Sequence, residues 1–506
     1  MFNFDGVAAL LTTLLTLAPL EAAPAAQRDI AGAIRAEVAA LGLKKATIAV
    51  SVRETDSGTP VLSYHGGEPM VPASNMKLLT TGAALVTLTP QFAFRTKLLR
   101  DGDRLIVVGD GDPALGDPEL LAQSSFIDSS GTAHTGMTIE HLLQAWVDAV
   151  RATGIKSVRE IVVDDRIFAR EGPHPLWPKD QLDEEYCSPP CGVNFHGNAL
   201  HIMAAPQPGN APRVTSISPA APWVKVINKA TSRTGKNDRN SMWVSRDATS
   251  GDLTIYGNVK APTAAPIAVA LSDPALFLAQ SLASRLTTAG VQVATARTAS
   301  ASDPAPRGNP VGPAIQTPLS LVVTRCNVES QNLYAESLLK RLAAQRTGSQ
   351  GSWPSGAASV SAVLAQRIGA LSSGFEVSDG SGLSRANRVT ADGLTAWLVG
   401  LANDSSVGDT FVESLAVAGK SGTVRKRMKD IDPSRATVQC KTGYIDKVSC
   451  LSGFVTARDG TRYAFSVLAN NLSERDSVAK AKKLQDRVAK ILADALAARP
   501  QPALGG

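Results

Sequence analysis

The chain has 506 residues, of which 44% are hydrophobic and 19% are charged, and its formal net charge is +6. This composition excludes a disordered or collagen-like chain, and the length indicates more than one domain. Because the charge is modest and no dense block of Lys and Arg occurs, nucleic acid is not an expected partner.

The first 25 residues resemble a secretory signal peptide. An apolar stretch without charges covers residues 7–20, and Ala23-Pro24-Ala25 gives small residues at the cleavage positions. We therefore expect cleavage before Ala26 and export of a chain with at most peripheral membrane contact. The stretch is too short for a spanning helix. Asp5 is atypical, since basic residues are usual there, and an uncleaved anchor or a misassigned start codon is the alternative.

Residues 26–95 show the pattern of an α+β domain. Helical spacing of apolar residues predicts a helix over 29–43, and two β-rich runs predict strands over 46–52 and 61–64. The apolar run 78–85 predicts a second helix, with Pro72 as its start signal.

From about residue 96 the pattern changes to short strands separated by turns that are rich in Gly, Asp and Pro. We interpret 96–302 as a mixed α/β region inserted into the first domain, followed by a Pro-rich linker over 302–310. The predicted strands are 105–108, 160–163, 200–203, 242–245 and 253–256, and the predicted helices are 138–152 and 274–289.

After the linker, helical patterns return and are followed by three strands and a last helix. We expect 26–95 and 303–499 to form one discontinuous domain, with a loose tail over 500–506. The predicted helices are 319–324, 332–344, 357–371, 390–401 and 478–497, and the predicted strands are 436–440, 448–456 and 463–469.

The motif Ser74-Asn75-Met76-Lys77 opens the second helix. Residues i and i+3 share a helix face, so the Lys77 amine can serve as the base for the Ser74 hydroxyl if its pKa is lowered. The spacing alone is weak evidence, because Ser477-Val478-Ala479-Lys480 also matches it. That second match lies in a stretch that predicts a solvated terminal helix.

Two further motifs occur downstream. Ser330-Gln331-Asn332 begins a predicted helix, and Lys441-Thr442-Gly443 follows a predicted strand and precedes a predicted hairpin turn. A second copy of the latter pattern, Lys420-Ser421-Gly422, precedes the basic run 425–427 and is interpreted as a loop.

In this order the three motifs resemble the signature of the penicillin-recognising serine acyltransferases, which include penicillin-binding proteins and serine β-lactamases. The long gap between Ser74 and Ser330 is similar to that of the class C low-molecular-mass penicillin-binding proteins, a family of D-alanyl-D-alanine carboxypeptidases and endopeptidases. The resemblance covers residues 29–497. It implies a transpeptidase-like domain with an antiparallel sheet flanked by helices, interrupted by a large insert.

The resemblance also implies roles for the first two motifs. Ser74 would attack the carbonyl of the penultimate D-Ala, and Lys77 would act as the base. Ser330 would relay a proton to the leaving D-Ala amine, and Asn332 would hold Lys77 and the substrate amide.

The third motif would bind the end of the substrate. Lys441 and Thr442 would bind the terminal carboxylate, because a charge-assisted contact selects a C-terminal acid. Gly443 would leave room for substrate along the strand, and the backbone N–H groups of Ser74 and Tyr444 would form the oxyanion hole.

The insert would add one contact. Asp164, in the segment 161–168, would bind the free amino end of a diaminopimelate side chain, and the alternative for Asp164 is a turn at a strand end. Arg385 is a similar candidate. The chain departs from the family at Gln331, where Asp or Asn is frequent, and at Tyr444, where Thr is frequent.

The implied partners are peptidoglycan stem peptides and β-lactam antibiotics in the periplasm, and no metal or cofactor is expected. Alternatives are a serine β-lactamase, which the long insert disfavours, and an inactive peptidoglycan-binding protein, which the intact motifs disfavour. A Ser-His-Asp hydrolase lacks support because no Gly-x-Ser-x-Gly occurs. The sequence indicates neither the balance between carboxypeptidase and endopeptidase activity nor the oligomeric state.

Five cysteines leave two readings open. Cys187 with Cys191, or Cys440 with Cys450 across a hairpin, could form disulfides in an oxidising compartment, with Cys326 left over. In the other reading most of them are small buried apolar residues.

Overall fold

The computed structural model describes residues 25–43, 45–127, 132–473 and 477–498. The predicted signal peptide 1–25, apart from Ala25, and the predicted tail 500–506 lie outside these ranges. Within them, no helix has both the length and the apolar character that crossing a membrane requires.

Helices and strands occur close to where the apolar patterns predict them. The chain begins with α1 (Ala25–Ala40), β1 (Thr47–Glu54), β2 (Pro60–Tyr64), α2 (Met76–Leu88), β3 (Ala93–Asp101), β4 (Arg104–Val108), α3 (Pro118–Gln123), β5 (Ser125–Ile127), β6 (Ala133–Thr135), α4 (Ile139–Ala152) and β7 (Ser157–Asp164). It continues with β8 (Ala199–Ala205), β9 (Arg213–Ser218), β10 (Val226–Asn228), β11 (Trp243–Arg246), β12 (Leu253–Tyr256), β13 (Ile267–Ala270), α5 (Pro274–Thr288), β14 (Gln292–Thr298), β15 (Asn309–Pro310) and β16 (Ile315–Pro318). The last part contains α6 (Leu319–Val328), α7 (Asn332–Thr347), α8 (Trp353–Ile368), α9 (Ala391–Ala402), α10 (Gly408–Glu413), β17 (Ala416–Val417), β18 (Ala436–Ile445), β19 (Val448–Ala457), β20 (Arg462–Asn470) and α11 (Ser477–Ala497).

A six-stranded antiparallel sheet in the order β17-β18-β19-β20-β1-β2 joins both ends of the chain. Alternate side chains of β20 enter different cores, because successive residues of a strand point to opposite faces. Phe465 and Val467 pack with residues of α1 and α11, whereas Ala464 and Leu468 pack with residues of α2 and α9. The sheet is therefore covered by helices on both faces.

A second six-stranded sheet is mixed and contains strands of the 96–302 region. β14, β7 and β4 are parallel, and β3 continues the sheet in the antiparallel sense to β15 and β16. β3 crosses the predicted boundary at residue 95, and its partners β15 and β16 follow residue 302. The division into domains at these two positions thus stays a prediction.

The two helices that begin at the first two motifs pack against each other. α2 is apolar almost throughout and nearly all of its residues are buried, as expected of a helix inside a protein. α7 contacts α2 and is buried from Leu333 to Ala344. It ends at Gly348, whose φ of 66° is the left-handed conformation that glycine adopts without steric cost. The pairing of α2 with α7 brings their N-terminal ends together.

Candidate active site

Ser74 lies in a single 3-10 turn, Ala73–Asn75, that leads directly into α2. The sequence predicts Ser74 at the start of the helix itself, whereas the structure places it in the turn before, with Ala73 at a φ of 45°. The turn keeps the Ser74 hydroxyl on the same side as Lys77. The Lys77 Nζ donates a hydrogen bond to Ser74 Oγ at 3.0 Å.

Buried contacts on two sides hold this turn in place. Asn75 is fully buried, and its Nδ2 donates to the Lys441 carbonyl at 2.8 Å while its Oδ1 accepts from Ser452 Oγ at 2.7 Å. On the other side, Gly382 has a φ of 85°, and a Cβ there would overlap the Ala73 carbonyl oxygen. Asn75 thus anchors the Ser74 turn to the sheet, and the loop around Gly382 closes over it.

Lys77 is fully buried and has three acceptors. Besides Ser74 Oγ, its Nζ donates to Asn332 Oδ1 at 2.7 Å and to the Ser381 carbonyl at 2.9 Å. Burial lowers the pKa of Lys77, because an ammonium loses its hydration, while negative character at Cys326, Glu336 and Asp379 opposes the shift. A lysine with a lowered pKa can accept a proton from a serine.

Ser330 and Asn332 face the two lysines from the N-terminal end of α7. Asn332 is the first residue of that helix, and Ser330 adopts a φ of 63°, which is uncommon for a residue with a side chain. The Lys441 Nζ donates to Ser330 Oγ at 2.8 Å. Two serine–lysine pairs, Ser74 with Lys77 and Ser330 with Lys441, therefore lie in one site.

Lys441, Thr442 and Gly443 lie in the second half of β18. Lys441 is fully buried, and burial together with the nearby Lys77 lowers its pKa to about 7. The Thr442 hydroxyl is hydrogen-bonded to the Thr423 hydroxyl at 2.8 Å. A hydroxyl pair beside an amine that titrates near neutrality is suited to hold a carboxylate.

The structure gives a reason for glycine at position 443 that the sequence does not show. A Cβ at this position would lie 2.7 Å from the Pro72 carbonyl oxygen and 3.2 Å from the Asn75 backbone nitrogen. Glycine is needed here because β18 packs against the Ser74 turn, in addition to the room for substrate that the resemblance implies.

A cavity of about 460 Å³ opens beside Ser74. The Tyr444 ring is exposed at its rim, and the Lys482 Nζ lies 5.4 Å from the ring centroid. Arg385 lines the cavity and donates to the Asp446 carbonyl at 2.8 Å. The lining residues are Ser74, Pro178, Gln181, Tyr186, Asn332, Gly382, Leu383, Arg385, Tyr444, Ile445 and Asp446.

Asp164 is not brought to this cavity. It ends β7 and forms an ion pair with Arg166 at 2.6 Å, and Arg166 also donates to the Ser300 and Asp303 carbonyls. This matches the alternative reading, a turn at a strand end. The part of the 96–302 region that reaches the cavity instead contains Pro178, Gln181 and Tyr186.

The sequence interpretation assigned no role to two buried acids beside Lys77, Glu336 and Asp379. Glu336 is fully buried and accepts the backbone N–H groups of Gly380 at 2.7 Å and Ser381 at 2.8 Å. Burial and the nearby Asp379 raise the pKa of Glu336 to about 8. An acid four residues after Asn332 in an otherwise apolar run is the signal that could have identified it, since i and i+4 share a helix face.

Asp379 orders the loop whose Ser381 carbonyl accepts from Lys77. It is fully buried and accepts from the Gly382 and Ser384 backbone N–H groups, at 2.8 and 2.6 Å. It also accepts from Asn387 Nδ2 and, from the 96–302 region, from Trp177 Nε1, at 2.7 and 2.8 Å. Four donors on one carboxylate make this loop a rigid support for Lys77.

The 96–302 region also orients Asn332. The Tyr186 carbonyl accepts from Asn332 Nδ2 at 2.9 Å, which aims the amide oxygen of Asn332 at Lys77. Neither Trp177 nor Tyr186 belongs to a short motif, so no sequence signal pointed to this support.

All five cysteines are free thiols. Cys440 lies opposite Gly453 and Cys450 opposite Gly443 in the β18–β19 register, so the two thiols are three residues apart along the ladder. Four of the five are buried, which agrees with the reading of small apolar core residues. The second copies of the two lysine motifs, 420–422 and 477–480, which we call the decoy motifs, do not line the cavity. Lys420 lies in a loop, and Lys480 is exposed on α11.

Comparison with known proteins agrees with this architecture. Residues 30–492 match the D-Ala-D-Ala carboxypeptidase 3 (S13) family. The D-alanyl-D-alanine carboxypeptidase of Actinomadura sp. (strain R39) is 29% identical over 96% of this chain and 90% of the relative. The corresponding Haemophilus influenzae carboxypeptidase is 25% identical over 84% of this chain and 85% of the relative.

Solved structures show the same fold. Penicillin-binding protein 4 from Haemophilus influenzae superposes with a TM-score of 0.69 at 21% identity, over 90% of this chain and 97% of that one. The chain belongs to the S13 family of serine-type D-Ala-D-Ala carboxypeptidases. The predicted α+β fold with a penicillin-binding-protein-like architecture and the predicted enzyme class are both confirmed.

Proposed function

We propose that this carboxypeptidase removes the terminal D-Ala of peptidoglycan stem peptides through an acyl-enzyme on Ser74 and is inhibited by β-lactams. The observation that supports it best is the buried Lys77 amine, which contacts both Ser74 and Asn332. The second serine–lysine pair, Ser330 with Lys441, supplies the groups that a leaving amine and a terminal carboxylate require.

In the acylation step, Ser74 Oγ attacks the carbonyl carbon of the penultimate D-Ala as its proton moves to Lys77 Nζ. The backbone N–H groups of Ser74 and Tyr444 stabilise the oxyanion. The C–N bond then breaks, and the proton reaches the leaving D-Ala amine through the Ser330 hydroxyl. In the second step water attacks the ester carbonyl, the bond between the acyl carbon and Ser74 Oγ breaks, and the shortened peptide leaves as a carboxylate while Ser74 regains a proton.

Substrate selection follows from charge. The D-Ala carboxylate lies against Lys441 and Thr442, with Thr423 as a further hydroxyl, while the penultimate residues extend along Tyr444 into the cavity. The family relationship supports a peptidoglycan substrate, and one solved structure of the Haemophilus influenzae protein contains a β-lactam. We also propose that the enzyme cleaves peptidoglycan cross-links. We further propose that its signal peptide is removed before Ala26 and that the mature chain is periplasmic.

Mass spectrometry of the purified chain after incubation with benzylpenicillin tests this proposal. We expect a stable adduct on the peptide that contains Ser74, absent from Ser74→Ala and retained in Ser477→Ala, which removes the serine of the decoy motif. Rapid loss of the drug without an adduct would indicate a β-lactamase. The absence of both an adduct and drug turnover would refute the proposed mechanism.

A further inference from the structure

A group of exposed basic residues lies beside the cavity and includes no residue of the three motifs. The loop 418–429 contains Lys420, Arg425, Lys426 and Lys429, and the first turns of α11 contain Lys482 and Lys483. All six side chains are exposed. We call these six residues the basic surface.

The fold brings these two segments together from distant parts of the chain. Arg427, in the loop, donates to Asp486 Oδ1 at 2.7 Å, to Gln485 Oε1 at 3.0 Å and to the Lys482 carbonyl at 3.1 Å. Asp486 is thereby paired with Arg427 rather than with a residue of the basic surface. The loop and the start of α11 thus form one continuous face.

The two segments carry an excess of positive charge, although Asp430, Glu474, Asp476 and Asp486 flank them. No Asp or Glu occurs in 418–429 or in 477–485. Within the described parts of the chain, the ion pairs of the loop and of α11 are Arg427 with Asp486 and Lys490 with Asp494, so the six residues of the basic surface form none. A face with several unpaired cations attracts a polyanion over a Debye length of about 8 Å at physiological salt.

The basic surface meets the active site at two points. The Lys482 Nζ lies over the ring of Tyr444 at the cavity rim, and Thr423, between Lys420 and Arg425, is hydrogen-bonded to Thr442. A polymer whose stem peptide enters the cavity would therefore border this face.

The chemistry of the face favours an anionic polymer over a lipid membrane. In the described segments 418–429 and 477–487 no large apolar side chain is exposed, since Val424, Met428 and Leu484 are buried. Peripheral membrane binding combines basic residues with inserted apolar ones. The stem peptides of peptidoglycan, in contrast, present free carboxylates that repeat along the polymer.

We infer that the basic surface binds the carboxylate-bearing peptidoglycan polymer next to the stem peptide under cleavage, a conclusion that rests on the proposed function. It holds the enzyme on the insoluble polymer by electrostatic attraction. Small soluble peptides do not reach the basic surface. Its loss should therefore weaken binding of the polymeric substrate and leave the chemistry at Ser74 unchanged.

Cosedimentation with purified peptidoglycan sacculi tests the inference. The variant Lys426→Gln/Lys429→Gln/Lys483→Gln is compared with Lys225→Gln/Lys236→Gln/Arg239→Gln, which removes the same charge from exposed positions of the 96–302 region. Both are made in the Ser74→Ala background, so binding is measured without turnover. We expect about fivefold weaker binding for the first variant only, and loss of wild-type binding in about 0.5 M NaCl.

Equal binding by the two triple variants, or wild-type binding that salt does not weaken, would overturn the inference. The inference would also be overturned if the protein bound anionic lipid vesicles but not sacculi, and if the first variant lost that vesicle binding. The partner of the basic surface would then be a membrane. Benzylpenicillin acylation of the first triple variant with Ser74 intact reports its folding. Failure of the proposed mechanism would appear as missing acylation in the wild type, whatever the binding result.

Discussion

The region that contains the three motifs and the 96–302 region contribute different things to one site. The first supplies the side chains to which we assign proton transfer or carboxylate binding, namely Ser74, Lys77, Ser330, Lys441 and Thr442. The second supplies Trp177 and the Tyr186 carbonyl, which hold the Asp379 loop and Asn332 in place. Chemistry and positioning are therefore divided between two parts of the chain, and variants can separate them.

The largest effect is expected from the region of the motifs. Lys77→Met keeps an unbranched buried side chain but removes the base, so acylation by benzylpenicillin should fall by about 10³-fold or more. Stopped-flow measurement of adduct formation checks this, with Lys480→Met as the matched change in the decoy motif. Acylation within tenfold of the wild type would mean that Lys77 is not the base.

A smaller loss is expected where the sheet touches the nucleophile. In Gly443→Ala the new methyl group meets the Pro72 carbonyl and displaces the Ser74 turn, which should slow acylation about 100-fold. Gly400→Ala on α9 is the control, since a Cβ there has nothing within 4 Å. Unchanged acylation in Gly443→Ala would show that the turn tolerates the shift.

The 96–302 region should produce a weaker, purely positional effect. Trp177→Phe keeps most of the buried ring but removes the donor to Asp379, and we expect acylation about tenfold slower with a loss of about 1–2 kcal/mol in the free energy of unfolding. Asp164→Asn in the same region should leave acylation unchanged, because its partner Arg166 lies outside the cavity. If Asp164→Asn slowed acylation more than Trp177→Phe, then Asp164 rather than Trp177 would be the residue of this region that supports the site.

The pH dependence of substrate selection should reveal the contribution of the Lys441 ammonium. Its pKa of about 7 in the free enzyme means that the ammonium form, to which we assign carboxylate binding, is lost as the pH rises through neutrality. The ratio of kcat/KM for a peptide ending in D-Ala to that for its carboxamide should therefore fall about tenfold between about pH 6 and about pH 8. Taking the ratio cancels the titration of Lys77, and a constant ratio would exclude Lys441 as the carboxylate site.

The local motifs were predictable because each is set by a few neighbouring residues. Ser74, in the 3-10 turn that leads into α2, still meets Lys77 three residues later, and the apolar surroundings of Lys77 indicate the burial that lowers the pKa of its amine. The decoy motifs were recognised in the same way, since their polar surroundings placed them in a loop and on an exposed helix face. The helix and strand patterns of the first 95 residues indicated an α+β domain, and the penicillin-binding-protein-like architecture came from the resemblance of the three motifs.

Only the tertiary structure decided which distant residues support the site. Asp164 was predicted at the site but pairs with Arg166, whereas Glu336, Asp379 and Trp177 converge on the Lys77 loop from three separate segments. Such contacts depend on how sheets and helices pack, and of the three residues Glu336 alone left a local signal, as an acid four residues after Asn332. The sequence alone thus identified the candidate catalytic groups, and packing determined which residues hold them, because burial and hydrogen-bond geometry exist only in the folded chain.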